Sequence, residues 1–375
     1  INVQGRKSRR RSADDVEEII RRNLAQGVNR FFITDDNFAR NTDWEAIFDR
    51  LIELRENQKL NVKFVIQVDT MCYRLPHFIE KAKRAGVVRV FVGLESINPD
   101  SLMGSKKKQN KITEYRTMLL QWKHAGVHVF AGYILGFPGD TPESILRDVK
   151  IIQRELPIDL VQFSCMTPLP GSEDHQKLYK AGVAMDPDLN KYDVEHVTTA
   201  HGTMSKEQWE KVYQDAWAAY YTPEHMETVM RREAATGGSP GKVLTLLIWT
   251  YVSMMLEGMH PYQGGYLRRK YRKDRRPTLP VESPLLFYPR YVSNVIAKHV
   301  KLAKAVLRYR RIAIQLRNDP NSRNYMDLAL TPVAADDFDS FEMYAANEAA
   351  KSTVVKIRGQ AQGRAADKNT LVKIG

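Results

Sequence analysis

Five short runs of β-branched and aromatic residues recur through the first 165 positions, each separated from the next by helical periodicity. The runs are Arg30–Thr34, Lys63–Val68, Val87–Leu94, Val127–Leu135 and Asp159–Cys165. Helical spacing shows at Val16, Ile19 and Ile20, and again at Trp44, Ile47, Phe48, Leu51 and Ile52. Runs that are continuously apolar predict strands of a parallel sheet covered on its faces. The punctuation agrees. Gln26-Gly27-Val28, Ala85-Gly86-Val87 and Ala125-Gly126-Val127 each put a glycine where a helix ends in the left-handed region and a strand begins. Thr42 with Glu45 predicts a capping box, and Thr141-Pro142 a cap followed by a first-turn proline.

A repeated β-loop-α unit is a parallel α/β architecture. Five strands are too few to close an eight-stranded barrel. The chain also opens on a helix, Ala13–Gln26, with no strand before it. The predicted fold class is therefore α/β, a partial, open parallel β/α barrel lacking its first strand, followed by a mainly helical extension. The predicted domains are 1–200 for the barrel, 201–235 for its helical end, 236–335 for a helical, basic extension, and 336–375 for a polar, loosely ordered tail. Ser205 with Gln208 caps the helix in the second segment, and Thr236–Gly241 (TGGSPG) reads as a linker.

Ligands of parallel sheets bind where the carboxyl ends of the strands meet their loops. The first run ends in Thr34-Asp35-Asp36-Asn37, whose carboxylates can accept from an ammonium group or close an Asx turn. The second ends in Gln67-Val68-Asp69-Thr70, with Gln67 placed to point inward. The third ends in Gly93-Leu94-Glu95-Ser96, a carboxylate suited to ribose hydroxyls or to a surface ion pair. The fourth carries Gly132 and Gly136, bare backbone that a flat ring can approach, and Gly139 at the turn. The fifth runs into Met166-Thr167-Pro168-Leu169-Pro170-Gly171-Ser172, a proline-fixed rim.

Two cysteines, Cys72 and Cys165, exclude a disulfide scaffold and a four-thiolate metal cage. A cytoplasmic setting follows. The net charge of +13 is uneven: Leu267–Arg276 holds seven bases and one acid, and bases continue through Lys298, Lys301, Lys304, Arg308, Arg310 and Arg311. Such a block is a solvated face, an anionic-membrane contact or a nucleic-acid contact. Val243–Met255 is apolar but shorter than the roughly 20 residues that cross a bilayer, which predicts a buried helix. Beside the basic block it can instead lie in a membrane interface, giving peripheral membrane contact through 243–276.

DDNF after one strand, GLES after another, GYILGFPGDTPE and TPLPGS together resemble the radical S-adenosylmethionine superfamily. More narrowly they resemble its cobalamin-dependent branch, in which a cobalamin-binding domain precedes the barrel. Tyr192-Asp193 with His196-Val197, then Met204-Ser205, is similar to the end of that barrel. The resemblance runs from residue 1 to about 235. It implies that Asp35, Asp36 and Asn37 hold the methionine amino group. Glu95 and Ser96 meet the ribose, the adenine packs on Gly132, Ile134 and Gly136, and Met166 and Thr167 lie next to it. No catalytic residue and no metal ligand is assigned.

The family's C-x3-C-x2-C cysteines are absent from this sequence. With Ile1 in place of an initiator Met, the expectation is a fragment whose cluster motif lies just upstream, and Cys72 and Cys165 are expected to be packed and inert. The implied parent uses S-adenosylmethionine, a [4Fe-4S] cluster and cobalamin to methylate, or otherwise react at, an unactivated carbon of a small-molecule or lipid-like substrate. This chain alone is expected to be inactive. Competing readings are an RNA-modifying radical enzyme, with Tyr266, Tyr271, Phe287, Tyr288 and Tyr291 stacking on bases, a non-catalytic barrel scaffold, and a generic β/α-barrel enzyme. No lysine ends a strand, which disfavours the last, and nucleic acid is the less favoured partner.

Overall fold

A computed structural model describes residues 10–104, 110–264, 268–276, 278–332 and 337–359. It divides into two compact units, Ile1–Tyr220 with Met326–Gly375, and Tyr221–Tyr325. The sequence had placed the corresponding boundaries at 235 and 335.

The first unit is a five-stranded, all-parallel sheet in the order β1-β2-β3-β4-β5. The strands are β1 (Arg30–Phe32), β2 (Lys63–Val68), β3 (Val87–Glu95), β4 (His128–Leu135) and β5 (Leu160–Cys165). Between and after them run α1 (Ala13–Leu24), α2 (Trp44–Glu56), α3 (Phe78–Ala85), α4 (Pro99–Gly104), α5 (Ile112–His124), α6 (Pro142–Glu155), α7 (Glu173–Lys180) and α8 (Lys206–Tyr220). The sheet curls into a half-barrel. The helix ends follow the glycines: Gly27, Gly86 and Gly126 take φ of 81°, 101° and 67°, left-handed values that cost a residue with a Cβ roughly 1 kcal/mol. Thr141 caps α6 reciprocally with Ser144, and Ser205 and Gln208 cap α8. The box expected at Thr42 does not form. Asp43 occupies that cap with no side-chain hydrogen bond, and α2 starts at Trp44.

One expectation is corrected here. Across β2, β3 and β4 the sheet is covered on one face only, whereas β5 is buried on both, from Leu160 to Phe163. Phe64, Ile66 and Val68 on β2, Val90, Val92 and Leu94 on β3, and Val129, Ala131, Tyr133 and Leu135 on β4 are buried under the helices. The alternate residues Val65, Gln67, Phe91, Gly93, Phe130, Gly132 and Ile134 are half-buried on the open side. Both sets are apolar because the open side is the inside of a barrel wall, so the strands read as unbroken apolar runs.

The second unit is helical: α9 (Pro223–Ala235), α10 (Pro240–Tyr251, continued by a π-turn over Val252–Leu256) and α11 (Pro284–Asn318). Val243, Leu247 and Val252 are buried where α10 packs on α9 and α11. The apolar part of 243–276 thus belongs to a core rather than to a membrane-facing side. Among the described residues no helix is long and apolar enough to cross a membrane.

The chain then returns to the first unit, against the expectation of a loose tail. α12 (Glu342–Ala345) and a helical stretch over 348–359 follow a turn at 337–340. Phe341, Met343 and Tyr344 are buried, and Glu155, fully buried at the end of α6, accepts from the backbone N–H of Glu342 (2.8 Å) and Met343 (2.9 Å). Arg116 on α5 donates to the carbonyls of Leu328 and Thr331 and stacks 4.1 Å over the Phe341 ring. Two buried charges, each hydrogen-bonded to backbone groups of this segment, fix the return. Residues 360–375 lie outside the described residues.

Candidate functional site

The carboxyl end of β3 is the most constrained loop on the open side. Glu95 has φ of 65°, a left-handed conformation that a non-glycine residue holds only when its surroundings demand it. Those surroundings are visible. Asn110 donates to the carbonyls of Gly93 (2.8 Å) and Leu94 (2.9 Å), and the Tyr115 hydroxyl lies 2.9 Å from Leu94 O and 3.1 Å from Ser96 O. The Ile97 N–H donates to the Tyr133 hydroxyl (3.3 Å), which itself donates to Asp148 (3.1 Å). The backbone groups of the turn are held from the helical side, and the Glu95 carboxylate folds back over Gly93 on the open side. Burial pushes the Asp148 carboxyl up to about 7, despite the nearby Arg147 guanidinium.

Ser96 faces the other way. It is buried, and its hydroxyl accepts from the Asn98 N–H at 3.0 Å, a turn-closing role. Asp35 also closes a turn, accepting from Asn37 N–H and from the Asn41 side chain, both at 3.0 Å. Asn37 reaches across to the next strand end: it donates to Asp69 (3.0 Å) and accepts from the Asp69 N–H (3.2 Å). Arg40 completes the pair by binding Asp69 at 2.7 Å. Asp36 is exposed, and Gln67 stands half-buried on the open face.

At the end of β4 the loop closes on Asp140, which accepts from the N–H of Gly136 and of Phe137, both at 2.9 Å. Burial raises its carboxyl above the usual range, against those two hydrogen bonds. His201 Nε2 lies 2.8 Å from Phe137 O, and its Nδ1 accepts from the Thr203 N–H (3.2 Å). Thr203 also donates to the Asp140 carbonyl. The His201 ring packs edge-on against Trp209 at 4.9 Å.

Both bare glycines are covered by the protein's own rings. A Cβ on Gly132 would meet Phe91 Cζ at 2.6 Å, and one on Gly136 would meet Trp209 Cζ2 at 1.9 Å. Sequence periodicity shows the glycines but not the rings, because Trp209 comes from α8, far along the chain.

Two cavities lie at the carboxyl ends of the edge strands. One of about 230 Å³ lies at the ends of β4 and β5, lined by Gly136, Met166, Thr167, His201, Trp209 and the Pro168 edge of the rim. Among the described residues, Trp209 Nε1 and Thr199 Oγ1 behind its wall are buried and make no hydrogen bond. The other, about 370 Å³, lies at the β1 edge with Asp35, Asp36, Thr34 and Arg11 on its wall. The strand order sets β1 and β5 at opposite edges, about 19 Å apart along a flat sheet. The predicted residues therefore divide. Asp35 and Asp36 share one cavity, Gly136, Met166 and Thr167 share the other, and Gln67, Glu95, Gly132 and Ile134 stand on the face between. Asn110, Tyr115, His201 and Trp209 were not found from sequence.

The cysteines do not suit an iron–sulfur cluster. Cys72 is 1% and Cys165 2% exposed, and burial pushes the Cys72 thiol up to about 12 and the Cys165 thiol upward also. Cluster ligation needs thiolates.

Residues 2–152 match the profile of the Radical SAM superfamily. The chain is 27% identical over 198 residues to bacteriochlorophyllide d C-12(1)-methyltransferase of Chlorobaculum tepidum, covering 52% of this chain and 41% of that protein. It is 24% identical over 226 residues to hopanoid C-2 methylase of Rhodopseudomonas palustris, covering 59% of this chain and 41% of that one. The chain thus spans less than half the length of these curated relatives. A radical S-adenosylmethionine methyltransferase, TsrM, from Kitasatospora setae, solved with cobalamin and a [4Fe-4S] cluster, superposes with a TM-score of 0.46 at 16% identity, over 58% of this chain and 47% of that one. Within this chain it is residues 2–152, most of the half-barrel, that carry the likeness to the Radical SAM superfamily.

Proposed function

We propose that this chain is the barrel wall and C-terminal part of a cobalamin-dependent radical S-adenosylmethionine enzyme that methylates an unactivated carbon of a small, lipid-like molecule. The observation that carries the reading is the Glu95 turn, a strained carboxylate held by Asn110, Tyr115 and Tyr133 at the rim of a parallel half-barrel. Strain maintained by that many partners is a mark of a functional position. The names of the relatives support the reaction class, since both are methylases, and one acts on a hopanoid.

On this reading Glu95 takes the ribose hydroxyls, Ile134 supports the base on the open face, and Met166, Thr167 and Trp209 close the hollow beside it. Asp35 or Asp36 draws the ammonium group towards the β1 edge. Bound there, S-adenosylmethionine supplies a sulfonium whose carbon–sulfur bonds can be broken. The protein's own part is to orient it and exclude water. The two buried thiols leave the cluster, like the cobalamin, to residues other than those of this chain, and the chain by itself is proposed to be inactive.

The test is calorimetric titration of S-adenosylmethionine into the full-length protein carrying this segment, beside its Glu95→Gln variant. Binding that weakens about tenfold or more in the variant supports the reading, given that hydrogen bonds to a charged group contribute roughly 1.5–3 kcal/mol. No heat at high ligand concentration would sink it.

A further inference from the structure

α11 carries eight Lys and Arg residues and no Asp or Glu over 35 residues. A straight helix of that length is about 52 Å long. Its buried face is narrow, made by Phe287, Leu302, Tyr309, Ala313 and Leu316. Leu285, Val292, Ile296, Val300, Leu307 and Ile314 all lie outside it. At 100° per residue they fall within an arc of about 80°. Each is about half exposed or more, Leu285 at 84% and Leu307 at 70%. An aliphatic stripe therefore runs along the solvent side of the helix, interrupted by Arg310, which falls within the same arc.

The next arc of the same helix is basic. Lys301, Lys304, Arg308 and Arg311 follow one another along it, all exposed, and among the described residues none has a carboxylate partner. Two bases elsewhere on the helix do: Lys298 binds Glu257 at 2.8 Å and Arg290 binds Glu282 at 2.6 Å. Glu282 also binds Arg275 at 2.9 Å, which ties the exposed basic segment Arg268–Arg276 to the first turns of α11. Tyr271, Leu279 and Val281, in and just beyond that segment, are exposed as well.

Three kinds of occupant could cover such a stripe, and charge separates them. A second copy of α11 would bring eight more positive charges to a face with no acid to meet them. An RNA would satisfy the bases but leave the stripe in water, because Leu, Val and Ile offer no π-face for stacking. An anionic lipid surface meets both arcs at once: aliphatic side chains enter the acyl boundary while lysine and arginine heads stay among the phosphates. We infer that α11 is a membrane-docking helix that lies in the plane of an anionic bilayer surface by its Leu285–Ile314 stripe. This does not depend on the proposed reaction. The membrane contact moves from the apolar run at 243–255, which is core, to the outward face of α11.

The experiment is flotation of the full chain with vesicles of equal parts phosphatidylcholine and phosphatidylglycerol, and with phosphatidylcholine alone. The chain is expected to float with the mixed vesicles and to bind the neutral ones at least about tenfold more weakly, since each base near an anionic leaflet is worth roughly fivefold. Ile296→Ser with Leu307→Ser should weaken binding about tenfold or more, and Lys304→Gln with Arg311→Gln about twentyfold at low salt. All four positions are exposed, so circular dichroism should be unchanged. Failure to float with mixed vesicles, or flotation that the serine pair does not reduce, overturns the inference. So does a dimer, seen by light scattering, that the serine pair splits. Retention on polyuridylate that survives the serine pair, without vesicle binding, would assign the face to RNA instead.

Discussion

The indole of Trp209 occupies the space that a Cβ on Gly136 would need, with Cζ2 1.9 Å from that position. Gly136 also has φ of 99°, so two independent constraints fall on one residue. Gly136→Ala is expected to destabilise the first unit by at least about 3 kcal/mol, combining the left-handed penalty with overpacking against a buried ring. Gly136→Val would cost more and is useless as a selective probe of nucleoside binding, because it attacks the fold first. The relationship can be isolated by a urea-unfolding cycle with Trp209→Leu. The pair should cost less than the sum of the singles by about 1 kcal/mol or more, and strict additivity would show that the indole is not the obstacle.

That contact marks the limit of what the sequence makes legible. The five strands fall within a residue or two of the apolar runs, because those runs are β-branched and three of the intervening helices end on a left-handed glycine. The caps at Thr141 and Ser205 were readable for the same local reason. Which strand face is open was not readable, since Phe91, Phe130 and Ile134 on the inside are as apolar as Val92, Val129 and Leu135 outside. The partners of the Glu95 turn were hidden too: Asn110 and Tyr115 act on backbone carbonyls, which leave no trace in residue type. The ordered return at 341–344 did have a signal, Phe341, Met343 and Tyr344 amid polar neighbours, outweighed by the composition around it.

Glu95 separates strain from function. Glu95→Gly relieves the left-handed backbone and should raise stability by about 0.5–1 kcal/mol, or leave it unchanged, while removing the carboxylate. Glu95→Gln keeps the strain and the shape. On the proposed reading both lose nucleoside affinity in the full-length protein, although only the first gains stability. Paired thermal unfolding and calorimetry would show it. A glycine variant that is both less stable and binding-competent would mean that the turn serves the fold alone.

The two units should respond to acid in opposite directions. In the first unit Asp148 has its carboxyl raised from 3.8 to about 7 by burial. The native state keeps a proton that the unfolded chain loses above about pH 4, so this stabilisation is full below pH 4 and is lost as pH rises through 7. In the second unit burial lowers His225 from 6.5 to about 3, with the Arg232 charge adding to it. There the unfolded chain takes a proton that the native state refuses, so stability is lost as pH falls from about 6.5 towards 3. Each contribution is of the order of a few kcal/mol, and in a whole-molecule signal they nearly cancel. Asp148→Asn, which still accepts from Tyr133, should remove only the first. Measured between pH 4 and 7, the parent-minus-variant stability should fall as pH rises. A flat difference would place the Asp148 carboxyl in contact with water.

Cys72 and Cys165 supply the sharpest chemical prediction. Both thiols are buried at the helical side or the end of the sheet, and burial holds Cys72 near 12 and raises Cys165, whose Sγ lies 3.6 Å from the Glu195 carbonyl. Since the thiolate is the form that attacks disulfides and ligates iron, neither should react with a chromogenic disulfide in the native chain at neutral pH, and two equivalents should appear in urea. Incubation of the native chain with ferrous iron and sulfide under anaerobic conditions should likewise leave no protein-bound cluster absorbance. Rapid native labelling of either thiol would contradict the packing, and a stable cluster on this chain would overturn the proposal that cluster ligation belongs to other residues of the parent. The two measurements separate, because a thiol exposed by local opening reacts with the disulfide reagent yet still lacks the neighbouring cysteines that a [4Fe-4S] cluster requires.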